Sequence, residues 1–248
     1  MTYNFNQRMR KILSIALPSG GNSLLDIVNI AIGMYFIAHI SADVEVTKHN
    51  IVALGLGMSC WMFLFALTTI FYVGTNAQVS RAFGERNYTK MQAVLSTMSI
   101  GVVFFSIPIY LLAYNFNGLY FDWMGVGEET KALGMLYLGW IFCSIPALLL
   151  KTIFISALAS TGDTKSVFFI KIISTSLNIA LNFMLIFGVH SLHIPPLGIA
   201  GAGISNVMIS YFEGIILFGI LCGLHRHLKI SLVFKWRILL FGLRIGLP

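Results

Sequence analysis

The sequence predicts an all-α membrane protein of six spans, and three observations carry that reading. Of 248 residues, 57% are hydrophobic and only 10% charged, against about 25% charged in ordinary soluble domains. Uncharged runs are long enough to cross a bilayer, which takes about 20 residues; 31 residues without a charge separate Lys90 from Asp122. The basic residues behind the net charge of +7 recur in short segments between apolar runs, which is membrane topology and not a nucleic-acid footprint. A soluble globule is excluded, because too few charges remain to build a water-facing surface.

The first span is expected over 12–39. Arg8, Arg10 and Lys11 ahead of it imitate a secretory signal, but Pro18 breaks the apolar stretch and no small-residue cleavage site follows. The second to sixth spans are expected over 51–79, 91–115, 132–157, 166–189 and 199–224. Between the fifth and sixth, the stretch from Gly188 to Gly198 holds the adjacent Pro195 and Pro196, which stop a helix and leave two antiparallel neighbours.

Counting Lys and Arg by loop gives the orientation. One side collects Arg8, Arg10 and Lys11, then Arg81, Arg86 and Lys90, then Lys165 and Lys171, then Arg226, Lys229, Lys235, Arg237 and Arg244. The other holds Lys48 and Lys131 with most of the acids, Asp43, Glu45, Asp122, Glu128 and Glu129. The positive-inside bias places both the N-terminus and the tail in the cytoplasm, which requires an even number of spans. The expected location is the plasma membrane, the inner membrane if the source is bacterial.

The motif LSIALP (13–18) returns as LRIGLP (243–248), identical at four of six positions. Membrane transporters are often built from such repeats. The expectation is a six-helix lobe over 1–237, with 238–248 beginning a second repeat as a seventh helix.

Several motifs in order resemble one family. They are IGMYFIAHIS (32–41), VALGLG (52–57), GTNAQVSRAFGERN (74–87), GDTKS (162–166), LNIALNFMLIFG (177–188) and PLGIAGAG (196–203). The chain is similar over nearly its whole length to the N-terminal lobe of a multidrug and toxic compound extrusion (MATE) transporter. The resemblance implies a two-lobed (6+6) fold around a central cleft, exporting drugs against inward sodium or proton flow. This chain would supply one lobe. It departs from the pattern at Val167, where proline is common, and at Ala159, where arginine is common.

Ionisable groups inside spans are expensive and usually face an interior or a watery cavity. Asp26, Lys151 and Glu213 are such groups. Asn22, Asp26, Asn29 and Gly33 fall within about 60° of arc on the first helix. Asn206, Ser210 and Glu213 align on the sixth, and Lys171, Ser174, Asn178 and Asn182 on the fifth. Three polar stripes thus point to a common interior, where a carboxylate can trade a proton for sodium or a substrate cation. Hydroxyls and amides also hold helices together, the favoured reading for Asn22, Asn29, Ser174 and Ser210, whereas function is favoured for Asp26 and Glu213. The resemblance would put the family's acids at Gly33 and Asn182, where both are missing, while Asn178 matches a family asparagine. Asp26, two turns before Gly33 on the same face, is the replacement candidate. Lys151 either pairs with Asp26 or Glu213 or snorkels to the surface.

Asp26, Asn178, Asn182 and Glu213 are therefore the ion-coupling candidates. Asn22, Asn29, Tyr137, Trp140, Lys151, Ser174, Asn206 and Ser210 are the candidates for a substrate cavity. Tyr137, Trp140 and Ser144 share a face of the fourth span, where rings suit flat cations but more often pack. Gly219 and Gly223 match a helix-approach pattern that is a common false positive. Asn87-Tyr-Thr89 matches a glycosylation sequon on the cytoplasmic side. Cys60, Cys143 and Cys222 form no CxxC pair, and His190, His193, His225 and His227 lack companion ligands, so neither a disulfide framework nor a metal site is expected.

The leading function is an ion-coupled antiporter of organic, cationic compounds, with a proton or sodium as coupling ion and no cofactor. An enzyme is not expected, since no HExxH, GxSxG or paired-aspartate pattern occurs. The alternatives are a lipid-linked-oligosaccharide flippase and a non-transporting half-carrier remnant or assembly subunit. The expected partners are the lipid bilayer, a small organic cation, and either a second lobe or a second copy of the chain.

Overall fold

The computed structural model describes residues 5–223 and 233–247. The side chains of Arg8, Arg10 and Lys11, and all of Leu224, His225, Arg226, His227, Lys229 and Pro248, lie outside the described residues. The helices are α1 (Phe5–Ala38), α2 (Val44–Gly84), α3 (Tyr88–Trp123), α4 (Glu128–Cys143), α5 (Ile145–Ser160), α6 (Thr164–Phe187), α7 (Ile199–Gly223) and α8 (Trp236–Gly246). Five are long and apolar enough to cross a membrane, and α4 with α5 makes a sixth crossing if counted as one bent span.

Three helices begin on a side-chain cap. Asp43 accepts from Glu45 N at 2.9 Å, Asn87 from Lys90 N at 3.0 Å and Asp163 from Ser166 N at 3.1 Å. Each satisfies a donor that the first helical turn leaves unpaired. The sequon asparagine is thus a cap. Between α2 and α3, Glu85 takes Lys90 Nζ and Arg81 Nε, each at 3.0 Å. Those hydrogen bonds, Lys90 foremost, hold its carboxyl below the usual range.

α1 runs through Pro18 without interruption. Lipid-embedded helices tolerate proline because neighbouring groups re-satisfy the freed carbonyl. The fourth span, expected as one helix over 132–157, is instead α4 and α5 meeting at 46° around Ser144. Pro146 lies in the first turn of α5, where its missing N–H is harmless. Continued helix would drive its ring against the carbonyl of Phe142.

α5 sits at the centre, packed against α2, α3 and α7. Its Ile153, Phe154, Ala157 and Leu158 join Val79, Met91, Leu95 and Met98 in the buried core. Between α6 and α7 the chain turns at Gly188, φ +75°, where a Cβ would lie 2.7 Å from Pro196 N. Only glycine fits both constraints there. Val189 and Ile194 then pair at 3.0 and 3.2 Å and close the turn ahead of the two prolines.

α1 is the peripheral helix, packed on α6 and, less extensively, α2. The α1–α6 register is fixed at both ends. Gly21 lies under the Phe168 ring, and Phe36 meets Phe183 and Phe187 at centroid distances of 6.0 and 5.9 Å. The two helices run parallel, which sets Asp26 beside Lys171 and Gly33 level with the stretch around Asn178.

Candidate functional site

Glu213 on α7 carries the centre of the site. Its side chain is 6% exposed, and its two oxygens are shared among three groups. Lys151 of α5 bonds Oε2, and Ser174 of α6 donates to Oε1. Lys171, one turn before Ser174, lies 3.8 Å from Oε1 and 2.6 Å from Oδ1 of Asp26 on α1. Two ammonium groups and two carboxylates from four helices thus form one charge-balanced chain, Asp26–Lys171–Glu213–Lys151. A buried carboxylate is tolerable only with such compensation. Exposure falls along the chain, from 57% for the Asp26 side chain to 24% for Lys171 and 6% for Glu213, with Lys151 at 14%.

A second, uncharged cluster lies further along α6 and α7. Asn182 Nδ2 bonds Asn178 Oδ1 at 2.9 Å, and Ser205 Oγ meets both Asn182 Oδ1 and the Ala202 carbonyl. A hydroxyl has one proton and cannot donate to both. Turning both amides over gives each contact one donor and one acceptor: Asn178 donates to Asn182, Asn182 to Ser205, and Ser205 to Ala202. The buried Asn178 atom left without a partner is then an oxygen rather than Nδ2. On α1, buried Oδ1 atoms of Asn22 and Asn29 also lack partners among the described residues. A Cβ at Gly33 would meet nothing within 4 Å. The two positions that the resemblance assigned to acids, Gly33 and Asn182, thus hold a glycine beside open space and an amide inside this ladder.

The structure brings together Asp26, Lys151, Ser174 and Glu213 in the charged chain, and Asn178 with Asn182 in the amide ladder. Other candidates stand apart. Tyr137 is buried against Gly57, whose Cβ would lie 2.7 Å from its ring. Trp140 packs its Cβ on Gly203 and leaves its ring partly exposed. Asn206 donates to Ala202 O of its own helix at 2.9 Å, and Ser210 is buried one turn before Glu213. Gly219 and Gly223 face open space; close helix approach occurs instead at glycines such as Gly74, Gly201, Gly203 and Gly246.

A cavity of about 550 Å³ opens between α3, α5 and α7, lined by residues such as Val103, Pro146, Leu150, Tyr211 and Phe218. None of the twelve sequence-predicted site residues lines it. The expected common hollow is therefore not this cavity, and the polar stripes meet each other directly. Sequence reasoning underrated Lys171, which it counted with a cytoplasmic loop; the residue lies two turns inside α6. The stripe through Ser174 was the signal. Ser205 was missed because the α7 stripe was drawn through its neighbour Asn206.

Residues 19–184, more than half of the chain, match the MatE family model. The chain belongs to the MatE family. It is 28% identical over 204 residues to the multidrug export protein MepA of Staphylococcus aureus (strain bovine RF122 / ET3-1), covering 82% of this chain and 44% of that one. It is 26% identical over 211 residues to the probable multidrug resistance protein NorM of Pasteurella multocida (strain Pm70), covering 84% and 43%. Among solved structures it superposes with TM-score 0.84 and 19% identity on an outward-facing multidrug resistance MATE transporter of the MOP superfamily, covering 96% of this chain and 51% of that one. A Pyrococcus furiosus MOP-superfamily transporter, whose binding pocket is described as having reverse polarity, gives 0.83 and 18%, over 96% and 51%. This MatE chain spans about half the length of the relatives it matches. It is a multi-pass membrane protein of a transporter family, and its helices follow the MATE fold.

Proposed function

We propose that the protein works in ion-coupled export of organic cations, as one lobe of an antiporter driven by inward proton or sodium flow. The observation that carries this reading is the charged chain from Asp26 to Lys151, which joins four helices and ends on an exposed carboxylate. Intramembrane ionisable groups mark substrate and ion paths. MepA and NorM, the relatives named above, are respectively a multidrug export protein and a probable multidrug resistance protein, which supports drug export as the activity. Asp26 is the assigned coupling and substrate carboxylate, in place of the acids absent at Gly33 and Asn182. The N-terminus lies in the cytoplasm, and a second lobe or a second copy of the chain supplies the opposite wall of the cleft, as alternating access requires.

A flippase for anionic lipid-linked sugars needs free positive charge in its cavity. Lys151 and Lys171 are both neutralised by carboxylates, which argues against that reading. The test is efflux of a fluorescent organic cation from cells or vesicles, with the pH and sodium gradients collapsed separately. The expected result is efflux that stops with one gradient and survives loss of the other. Efflux indifferent to both gradients, or none above the empty vector, contradicts the proposal.

A further inference from the structure

We propose that Lys171 is a tethered cation that occupies Asp26 until a substrate cation displaces it, and that Glu213 receives it. The inference rests on the reading that Asp26 takes an organic cation. It concerns what that cation must push aside.

Lys171 Nζ is already between two carboxylates, 2.6 Å from Asp26 Oδ1 and 3.8 Å from Glu213 Oε1. Glu213 has room for it. Oε2 holds Lys151, while among the described residues Oε1 accepts only the Ser174 hydroxyl at close range, and a carboxylate oxygen has two acceptor sites. The shift from one carboxylate to the other is small, and the four-carbon lysine stem bends easily. No backbone movement is needed to begin it.

The two carboxylates differ in access. Asp26 is more than half exposed, so a ligand reaches it, and its pair with Lys171 is the kind that water weakens. Glu213 is nearly enclosed and reached through Lys171. A cation arriving at Asp26 leaves Lys171 without a partner unless Glu213 takes it up, so substrate binding draws α1 and α6 apart at this point and tightens α6 onto α7. A neutral compound has no charge with which to displace Lys171, and an anion is repelled by Asp26. Lys171 therefore selects for positive charge and sets how tightly a cation is held. Packing alone gives no such signature, because a purely structural lysine strengthens the site when present and weakens it when removed.

The sign of the effect is the test. Tetraphenylphosphonium binding is measured on the detergent-solubilised protein by equilibrium dialysis. K171Q removes the competitor and is expected to tighten binding about fivefold or more, within the usual range of coupling between linked sites. K171R holds both oxygens of Asp26 through its planar fork and is expected to weaken binding. Both shifts should vanish when D26N is added. K171R keeps the charge that the fold uses, so its direction decides the matter even where K171Q fails to fold. Weaker binding by a folded K171Q, parent-like binding by K171R, or shifts that persist with D26N overturn the inference. If the parent protein exports cations on an ion gradient while these shifts are absent, this inference falls and the proposed function stands. If the parent binds no tetraphenylphosphonium, both fall.

Discussion

At Glu213 a carboxylate is buried among two lysines and a serine, and the energetics of that arrangement are asymmetric. Removing one partner strands the others, whereas replacing a pair by apolar groups of similar volume is often neutral. Glu213→Ala should therefore destabilise the protein by about 3–5 kcal/mol, read as a lower melting temperature in detergent. Glu213→Leu combined with Lys151→Met should melt close to the parent, because Lys171 retains Asp26. A double variant as unstable as Glu213→Ala would mean that the chain is held by more than charge balance. Much of this cluster was legible in the sequence, since a carboxylate and a lysine within apolar runs stand out at once. The pairing of Lys151 with Glu213 rather than the surface was not, because periodicity gives the face of a helix but not the distance to its neighbour.

Among the elements, α8 shows how closely the last described segment is docked. A Cβ on Gly74 of α2 would lie 2.2 Å from Gly242 O, and one on Gly246 would lie 2.1 Å from Ile70 O. Gln78 Nε2 donates to Ile238 O at 3.3 Å, and Thr97 accepts from Lys235 N at 3.2 Å. Backbone meets backbone at this contact, so a methyl group cannot be absorbed by a side-chain rotation. Gly74→Ala is expected to cost about 1–3 kcal/mol as overpacking, seen as a lower melting temperature, whereas Gly219→Ala, facing open space, should leave it unchanged. Equal effects at both positions would contradict this packing. The spans themselves were readable because an uncharged run must be long to cross a bilayer. The break at Ser144 was not, since the uncharged run from Ala132 to Leu150 continues straight through it and only Pro146 hinted at a bend.

For the whole molecule, the distribution of burial matters more than any single contact. Only 6% of the apolar window of α1 is buried, against 50% for α3, and α1 carries Asp26 on exposed surface. Apolar residues such as Leu24, Ile27, Phe63, Phe104 and Ile215 are exposed around the bundle, as a lipid-facing surface requires. A charged, exposed aspartate on the same helix is incompatible with contact to acyl chains unless it opens to water or to another protein wall. Under the proposed function that wall belongs to a second lobe or a second copy, and the charged chain of Asp26, Lys171, Glu213 and Lys151 lines the first half of the cleft. The most direct measurement is gradient-driven efflux of an organic cation by D26N, at expression and thermal stability matched to the parent. D26N is expected to lose efflux driven by the coupling ion; parent-like, gradient-dependent efflux by D26N would contradict the assignment of Asp26 as the coupling carboxylate.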